Sequence, residues 1–232
     1  MKILVIEDKQ IHQQSARQTL EGHEVTIIGS FDESVELFKE RCDWEKQKQL
    51  KSEGMHYSEA MAQSMIPFPF EAVLTDMMLP MSSDGVNPSV FNPNELVPYG
   101  YLLALKAAQR GVKLVGLVTD ANHHKVPIAM GLDLIQGKRF TINGAVCIFD
   151  YAEMVSVSGT VCPTCGGQKK CDRRCGMCSG TGYNFAKPCE FCNGVGHGMY
   201  DCDACNKSGT ELGKDWGHGL KNLIEASGGS AT

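Results

Sequence analysis

The sequence predicts an α/β protein built on a doubly wound parallel sheet, with a small zinc-binding β-hairpin module inserted late in the chain. Short apolar runs alternate with helix-like periodicity over residues 1–150, as parallel sheets with crossover helices require. Acidic residues stand at the ends of those runs. Nine of the eleven cysteines fall between Cys162 and Cys205, which marks a local metal-binding device and not a global disulfide framework. A hydrophobic content of 42% with 21% charged residues excludes wholesale disorder. The net charge of -5 argues against a nucleic-acid-coating protein, which would be strongly basic.

KILVI (2–6) reads as a strand buried on both faces, stopped by Glu7 and Asp8. Ile11, Ala16 and Leu20 predict a helix over 10–21 that ends at Gly22, and HEVTII (23–28) a second strand. Ser30 with Glu33 three residues on is a capping box. The helix it starts carries Val35, Leu37 and Phe38 and is expected to run past Trp44. Residues 41–65, rich in Lys, Gln and Glu, read as an extended helix or helical hairpin with a solvated face. FEAVLT (70–75) is a third strand, ending at Asp76. Residues 81–98 hold Gly85 and three prolines and are expected to form a long loop. A helix follows over 99–110, a fourth strand over 112–119, and a helix within 122–135. One or two strands occupy 140–149, of which Ala145–Phe149 is the best fifth parallel strand. No run approaches the ~20 apolar residues of a membrane span, and the start lacks the apolar region of a signal peptide. A cytoplasmic protein with reduced thiols and no membrane partner is expected.

In such sheets ligands bind beyond the carboxyl ends of the strands, where strand order reverses. Asp8, Asp76 and Thr119 each follow or end an apolar strand. Carboxylates gathered there repel unless a cation lies between them. Mg²⁺ fits, because it takes a few carboxylates and completes its shell with water and phosphate oxygens.

KILVIED (2–8), AVLTDMMLP (72–80), Gly85 and LVGLVTD (114–120) together resemble the receiver domain of bacterial response regulators, in order and spacing, over most of residues 1–150. The resemblance implies Asp76 as phospho-acceptor, with Mg²⁺ held by Glu7, Asp8, Asp76 and the backbone carbonyl of Met78. It makes Thr119 the switch hydroxyl and Pro80 the proline that shapes the loop after the acceptor. A receiver also carries a lysine after its fifth strand, where this chain has Asp150. The substitute is Lys214 in GKDWGHGLKNLIEA (213–226), whose Leu220, Leu223 and Ile224 mark a last amphipathic helix. That substitution divides the chain into a receiver-like domain (1–155), an insert (156–211), a final helix (212–226) and a flexible tail (227–232). His123 and His124 are further candidates for contact with a phosphoryl group.

CxxC pairs begin at 162, 175, 189 and 202, an internal repeat with steps of 13, 14 and 13 residues. A CxxC pair on a tight turn aims two thiolates at one tetrahedral ion, and trailing glycines supply backbone freedom. Eight thiolates complete two closed Zn(Cys)₄ shells, which are structural because no position is left for water. A redox CxxC is expected singly after a strand, unlike this fourfold repeat. Cys171 stands outside the pairs, and Cys42 and Cys147 read as ordinary half-buried or buried thiols.

The CxxCxGxG pattern resembles the cysteine-rich zinc domain of DnaJ-type co-chaperones across about 50 residues. Lys169 and Lys207 replace one glycine each in the first and fourth repeats. The resemblance implies outer-with-outer and inner-with-inner pairing: Cys162, Cys165, Cys202 and Cys205 at one ion, and Cys175, Cys178, Cys189 and Cys192 at the other. The even repeat spacing leaves sequential pairing open. No His-Pro-Asp signature of a J-domain is present. Six Lys/Arg against four Asp/Glu over 160–210, with two ions each held by four thiolates, bring the segment to about -2, which disfavours nucleic acid. Phe185, Phe191 and Tyr200 are too scattered for a stacking platform.

The leading expectation is a response-regulator-like phosphorelay protein. It is not an enzyme beyond autophosphorylation, and it binds protein partners through the zinc module, a histidine kinase among the candidates. The alternative is a zinc-dependent, chaperone-like adaptor on a non-phosphorylated scaffold. A phosphohydrolase is disfavoured, since Glu7-Asp8-Lys9 is not the DxD such enzymes place after the first strand.

Overall fold

The computed structural model describes residues 1–84, 86–122, 124–184 and 187–228; Gly85, His123, Phe185, Ala186 and the last four residues lie outside them. The chain divides into two compact units, one of Met1–Glu153 with Lys214–Thr232, the other of Met154–Gly213.

The larger unit is mixed α/β. Its strands are β1 (Lys2–Ile6), β2 (Glu24–Ile28), β3 (Ala72–Thr75), β4 (Leu114–Thr119), β5 (Phe140–Ile142) and β6 (Ala145–Tyr151). They form one six-stranded sheet in the order β2-β1-β3-β4-β6-β5. Five strands are parallel and β5 is an antiparallel edge, joined to β6 through a turn whose Asn143 and Gly144 both take positive φ. Its helices are α1 (Gln10–Thr19), α2 (Phe31–Phe38), α3 (Trp44–Ser52), α4 (Tyr57–Ser64), α5 (Tyr99–Gln109), α6 (Pro127–Leu132) and α7 (Trp216–Ala226).

Alternate residues of the buried strands face two separate cores. Ile3 and Val5 of β1 pack with Ala16 and Leu20 of the α1 segment and with Trp216, Leu220 and Leu223 of α7. Leu4 and Ile6 point the other way, to Phe38 of α2, Leu103, Ala104 and Ala107 of α5, and Ala129 and Leu132 of α6. The sheet is therefore covered by helices on both faces; β3 and β4 are buried along their whole length and β1 is buried beyond the exposed Lys2, as their apolar sequences demand.

Several elements depart from the sequence expectations. The helix begun at Ser30 stops at Phe38 and does not pass Trp44. Arg41–Asp43 runs extended instead: Ile66 N–H donates to Arg41 O, Asp43 N–H donates to Ser64 O, and Cys42 bridges Met65. Asp43 then caps α3 by accepting from Lys46 N–H at 3.0 Å. The polar run is thus a helical hairpin whose base is stitched by backbone bonds. The helix expected within 122–135 shrinks to six residues, because Pro127 holds Val126 extended (φ -115°, ψ 104°) and so delays its start. The 81–98 loop is pinched at its base by pairing of Leu79–Pro80 with Leu96–Val97. The fourth strand starts at Leu114, and β6 runs on past Asp150 to Tyr151.

The second unit has almost no apolar interior. Its strands are β7 (Met154–Ser156), β8 (Lys170–Arg174) and β9 (His197–Asp201); β8 and β9 form an antiparallel hairpin. Strand β10 (Leu212–Lys214) pairs with β7 where the chain returns. No helix among the described residues is long and apolar enough to cross a membrane.

Gly100, in the first turn of α5, packs directly on the backbone that follows β3: a Cβ there would lie 2.0 Å from Asp76 O. Gly100→Ala is expected to destabilise the larger unit by about 3 kcal/mol, read as a lower urea midpoint from the emission of buried Trp216. An unchanged midpoint would show that this approach does not constrain the fold.

Candidate functional site

The register of the sheet brings the acids together. Ile6 of β1 lies opposite Thr75 of β3, and Asp76 N–H donates to Ile6 O at 2.8 Å. Glu7 and Asp76 therefore leave adjacent strands side by side. Strand β1 has β2 on one flank and β3 on the other, so the carboxyl ends of β1 and β3 mark the point where strand order reverses. One carboxylate oxygen each from Glu7, Asp8 and Asp76 lies within 4.8 Å of the others, a spacing a divalent cation spans. Asp8 Oδ1 is buried and has no hydrogen-bond partner. A buried carboxylate oxygen without a partner, on one member of a three-carboxylate cluster, is a chemistry that suits a hard divalent cation such as Mg²⁺.

Lys214 closes the site. Its Nζ lies 2.6 Å from Glu7 Oε2 and 2.7 Å from Asp76 Oδ1, with all three side chains buried. The final helix expected over 212–226 begins only at Trp216, and Lys214 ends strand β10 ahead of it; Asp150 instead accepts from Tyr151 N–H. Burial works to discharge Lys214, but Asp76, Glu7 and Asp120 outweigh it and raise its pKa. For Glu7, burial dominates; Lys214 offsets part of it, Asp76 adds to it, and the carboxyl is pushed up to about 7. Removing the lysine would leave buried carboxylates uncompensated, a loss of ~3–5 kcal/mol.

Thr119 ends β4, fully buried, and its Oγ1 accepts from Ala121 N–H at 3.2 Å, which leaves the hydroxyl hydrogen free to donate. Met78 is half-buried two residues beyond Asp76, and Pro80 opens the pinched loop. His124 is exposed, its backbone N–H capped by Asn122 Oδ1. His123 lies outside the described residues.

Sequence reasoning missed three groups here. Asp120 follows Thr119 and binds Lys9 Nζ at 2.7 Å and His12 Nε2 at 3.2 Å. Trp216 lies 5.2 Å from Lys214 Nζ and donates its indole N–H to His12 O at 3.0 Å. Asp120 was visible as a third acid after a strand. His12 had no local signal, because its partners are more than a hundred residues away.

The second unit assembles two cysteine tetrads, Cys162, Cys165, Cys202 and Cys205, and Cys175, Cys178, Cys189 and Cys192. The pairing is outer with outer and inner with inner, and the sequential alternative is not what forms. Sulfur pairs stand 3.7–3.9 Å apart, matching the edge of about 3.8 Å for a tetrahedron with ~2.3 Å zinc–sulfur bonds. In the last three repeats the N–H of the final glycine (Gly182, Gly196, Gly209) donates to the second cysteine sulfur at 3.3–3.4 Å. The geometry needs positive φ, and Lys169 and Lys207 adopt it too, at 66° and 64°. Two Cys₄ sites can hold two zinc ions. Cys171 is no member of either tetrad; half-buried beside the outer one, it donates to Thr164 O. Cys42 is half-buried against Ser64 and Cys147 is buried in the sheet.

No protein-family model, curated protein or solved structure matches this chain. What the two sites do must be argued from their residues.

Metal analysis of the freshly purified, reduced protein should give about two zinc ions per chain, and Cys192→Ser about one. Gly196→Ala, whose Cβ would lie 2.4 Å from Gly180 O, should lose the inner ion. Acidification should release both ions, because protons compete for the thiolates. A value near zero in wild type would sink the two-site assignment.

Proposed function

We propose that this chain is a response-regulator-like signalling protein in which Asp76 accepts a phosphoryl group and a zinc-stabilised module binds a protein partner. The observation that carries the reading is Lys214: a fully buried ammonium 2.7 Å from Asp76, beside an orphaned Asp8 oxygen, at the switch point of the sheet. The order β2-β1-β3-β4-β6, with helices on both faces, is the doubly wound order of flavodoxin- and receiver-like sheets.

In the proposed reaction an oxygen of Asp76 attacks the phosphorus of a donor in line. The bond from phosphorus to the donor's leaving oxygen or nitrogen breaks, and that atom departs with the electron pair. Asp76 Oδ1 is committed to Lys214 and to Met77 N–H at 2.8 Å, which leaves Oδ2 to attack. Lys214 neutralises charge on the transferring oxygens, and Thr119 donates its hydroxyl hydrogen to one of them. Mg²⁺, held by Glu7, Asp8, Asp76 and the Met78 carbonyl, would supply further charge neutralisation. Because Glu7 takes up a proton near pH 7 before any cation binds, Mg²⁺ must displace that proton, so apparent Mg²⁺ affinity rises with pH through about 7. Isothermal titration at pH 6 and pH 8 reads this as tighter binding at the higher pH.

The zinc module supplies the partner surface in this reading. Met177, Tyr183, Phe191, Val195 and Met199 are each more than half exposed, an apolar surface with little interior to cover. The same observation favours the second reading, a zinc-dependent protein-binding adaptor whose α/β unit is never phosphorylated; there Lys214 is a permanent counter-ion for buried Glu7 and Asp76.

Incubation with Mg²⁺ and acetyl phosphate is expected to add one phosphoryl group to the wild type by intact mass, and none to Asp76→Asn. In a Trp44→Phe background, where Trp216 is the sole indole, beryllofluoride should change the emission only when Mg²⁺ is present. Absence of both responses would exclude the phospho-acceptor reading and leave the adaptor.

A further inference from the structure

We propose that His12 and Asp120 are positioning residues that hold Lys214 at the acid cluster, an inference that rests on the phospho-acceptor reading for its functional consequence but not for its geometry. Lys214 is gripped at two places. Its ammonium meets Glu7 and Asp76 and stands 3.6 Å from Asp120 Oδ1. Its backbone N–H donates to His12 Nδ1 at 3.3 Å. An accepting Nδ1 requires the tautomer that carries its hydrogen on Nε2, and that Nε2 lies 3.2 Å from Asp120 Oδ2. Asp120 therefore orients the imidazole with one oxygen and draws on the lysine head with the other. The imidazole transmits that orientation to the backbone from which the lysine extends.

The surroundings support a purpose beyond packing. His12 is nearly fully buried on α1, and its own carbonyl receives both the Trp216 indole N–H and the Ser15 hydroxyl, which fixes the backbone that carries the ring. Asp120 is partly exposed and is held by Lys9 Nζ at 2.7 Å. Burial works to raise the Asp120 carboxyl, but the His12 hydrogen bond and the Lys214 and Lys9 charges hold it far below the usual carboxylate range. Asp120 belongs to the loop after β4 and His12 to the first helix. Lys214 would otherwise enter the site as a four-carbon stem with many rotamers, and a transferring phosphoryl group tolerates little misplacement of its counter-charge.

Three substitutions separate positioning from mere filling. The amide oxygen of Asn occupies the place of imidazole Nδ1, whereas the amide of Gln reaches only toward Nε2. His12→Asn should therefore keep the acceptor for Lys214 N–H, and His12→Gln should lose it. Asp120→Asn, at a partly exposed position, removes the charge without a cavity. The primary readout is the ¹⁵N-resolved ammonium signal of Lys214, which a buried, hydrogen-bonded amine protects from exchange with water. Its exchange is expected to accelerate about tenfold in Asp120→Asn and in His12→Gln, and much less in His12→Asn. In a Trp44→Phe background, which leaves Trp216 as the sole indole, emission should shift in the same rank order. The rate of phosphoryl addition from acetyl phosphate should fall about tenfold in the same two variants. Unchanged ammonium exchange in folded Asp120→Asn and His12→Gln would overturn the inference, as would equal effects of Asn and Gln at position 12. If wild type accepts no phosphoryl group, the phospho-acceptor reading fails alone, and ammonium exchange still decides the positioning role.

Discussion

A single buried ammonium organises the larger unit. Taking Lys214, Glu7 and Asp76 out of water costs several kcal/mol per ion, and their attraction offsets this only with short, well-aligned contacts. The contacts are that short, at 2.6 and 2.7 Å, and they join positions 7, 76 and 214. Much else is arranged to sustain them. Strands β1 and β3 must be neighbours in one register, so that the two carboxylates emerge together. The return segment must arrive where it does, so Asp215 caps α7 by accepting from His218 N–H, and Trp216 is fully buried beneath it. The close packing of α7 on α1 and β4 follows from the same anchoring.

The smaller unit solves the opposite problem. Apart from Val157, the side chains buried among its described residues are the eight tetrad cysteines. A segment of this length with so little apolar interior gains little from the hydrophobic effect, and metal ions held by the two tetrads would replace the missing core. The repeat spends its glycines on backbone shape: at Gly182 and Gly196 even a methyl group would strike the opposite repeat's carbonyl. Side chains freed from packing are left outside, which is why Phe191 and Met199 face water.

What could be read from the sequence follows the range of the interactions. Alternating apolar runs have a local period, and the strands and both cores come from that period. The CxxC repeats carry their geometry within eight residues, down to the positive φ that Lys169 and Lys207 adopt in place of glycine. Glu7, Asp8 and Asp76 were marked by ending apolar runs, and the sheet brings them within reach of one ion. The break after Phe38 was not legible, since the bonds that cause it come from Ser64 and Ile66. Nor was His12, whose spacing on α1 resembles that of any half-polar helix residue and whose meaning lies in Asp120 and Lys214.

The place of Lys214 in the chain also sets an order of events during synthesis. The acids of β1 and β3 leave the ribosome long before their counter-charge. Between Glu153 and Lys214 the 60 residues of the zinc unit must be made, which takes roughly 3–12 s at 5–20 residues per second. Until then the nascent sheet has a cluster of carboxylates with no lysine among them, and α7 is not yet there to cover one face. The sheet is thus sealed only when residue 214 arrives.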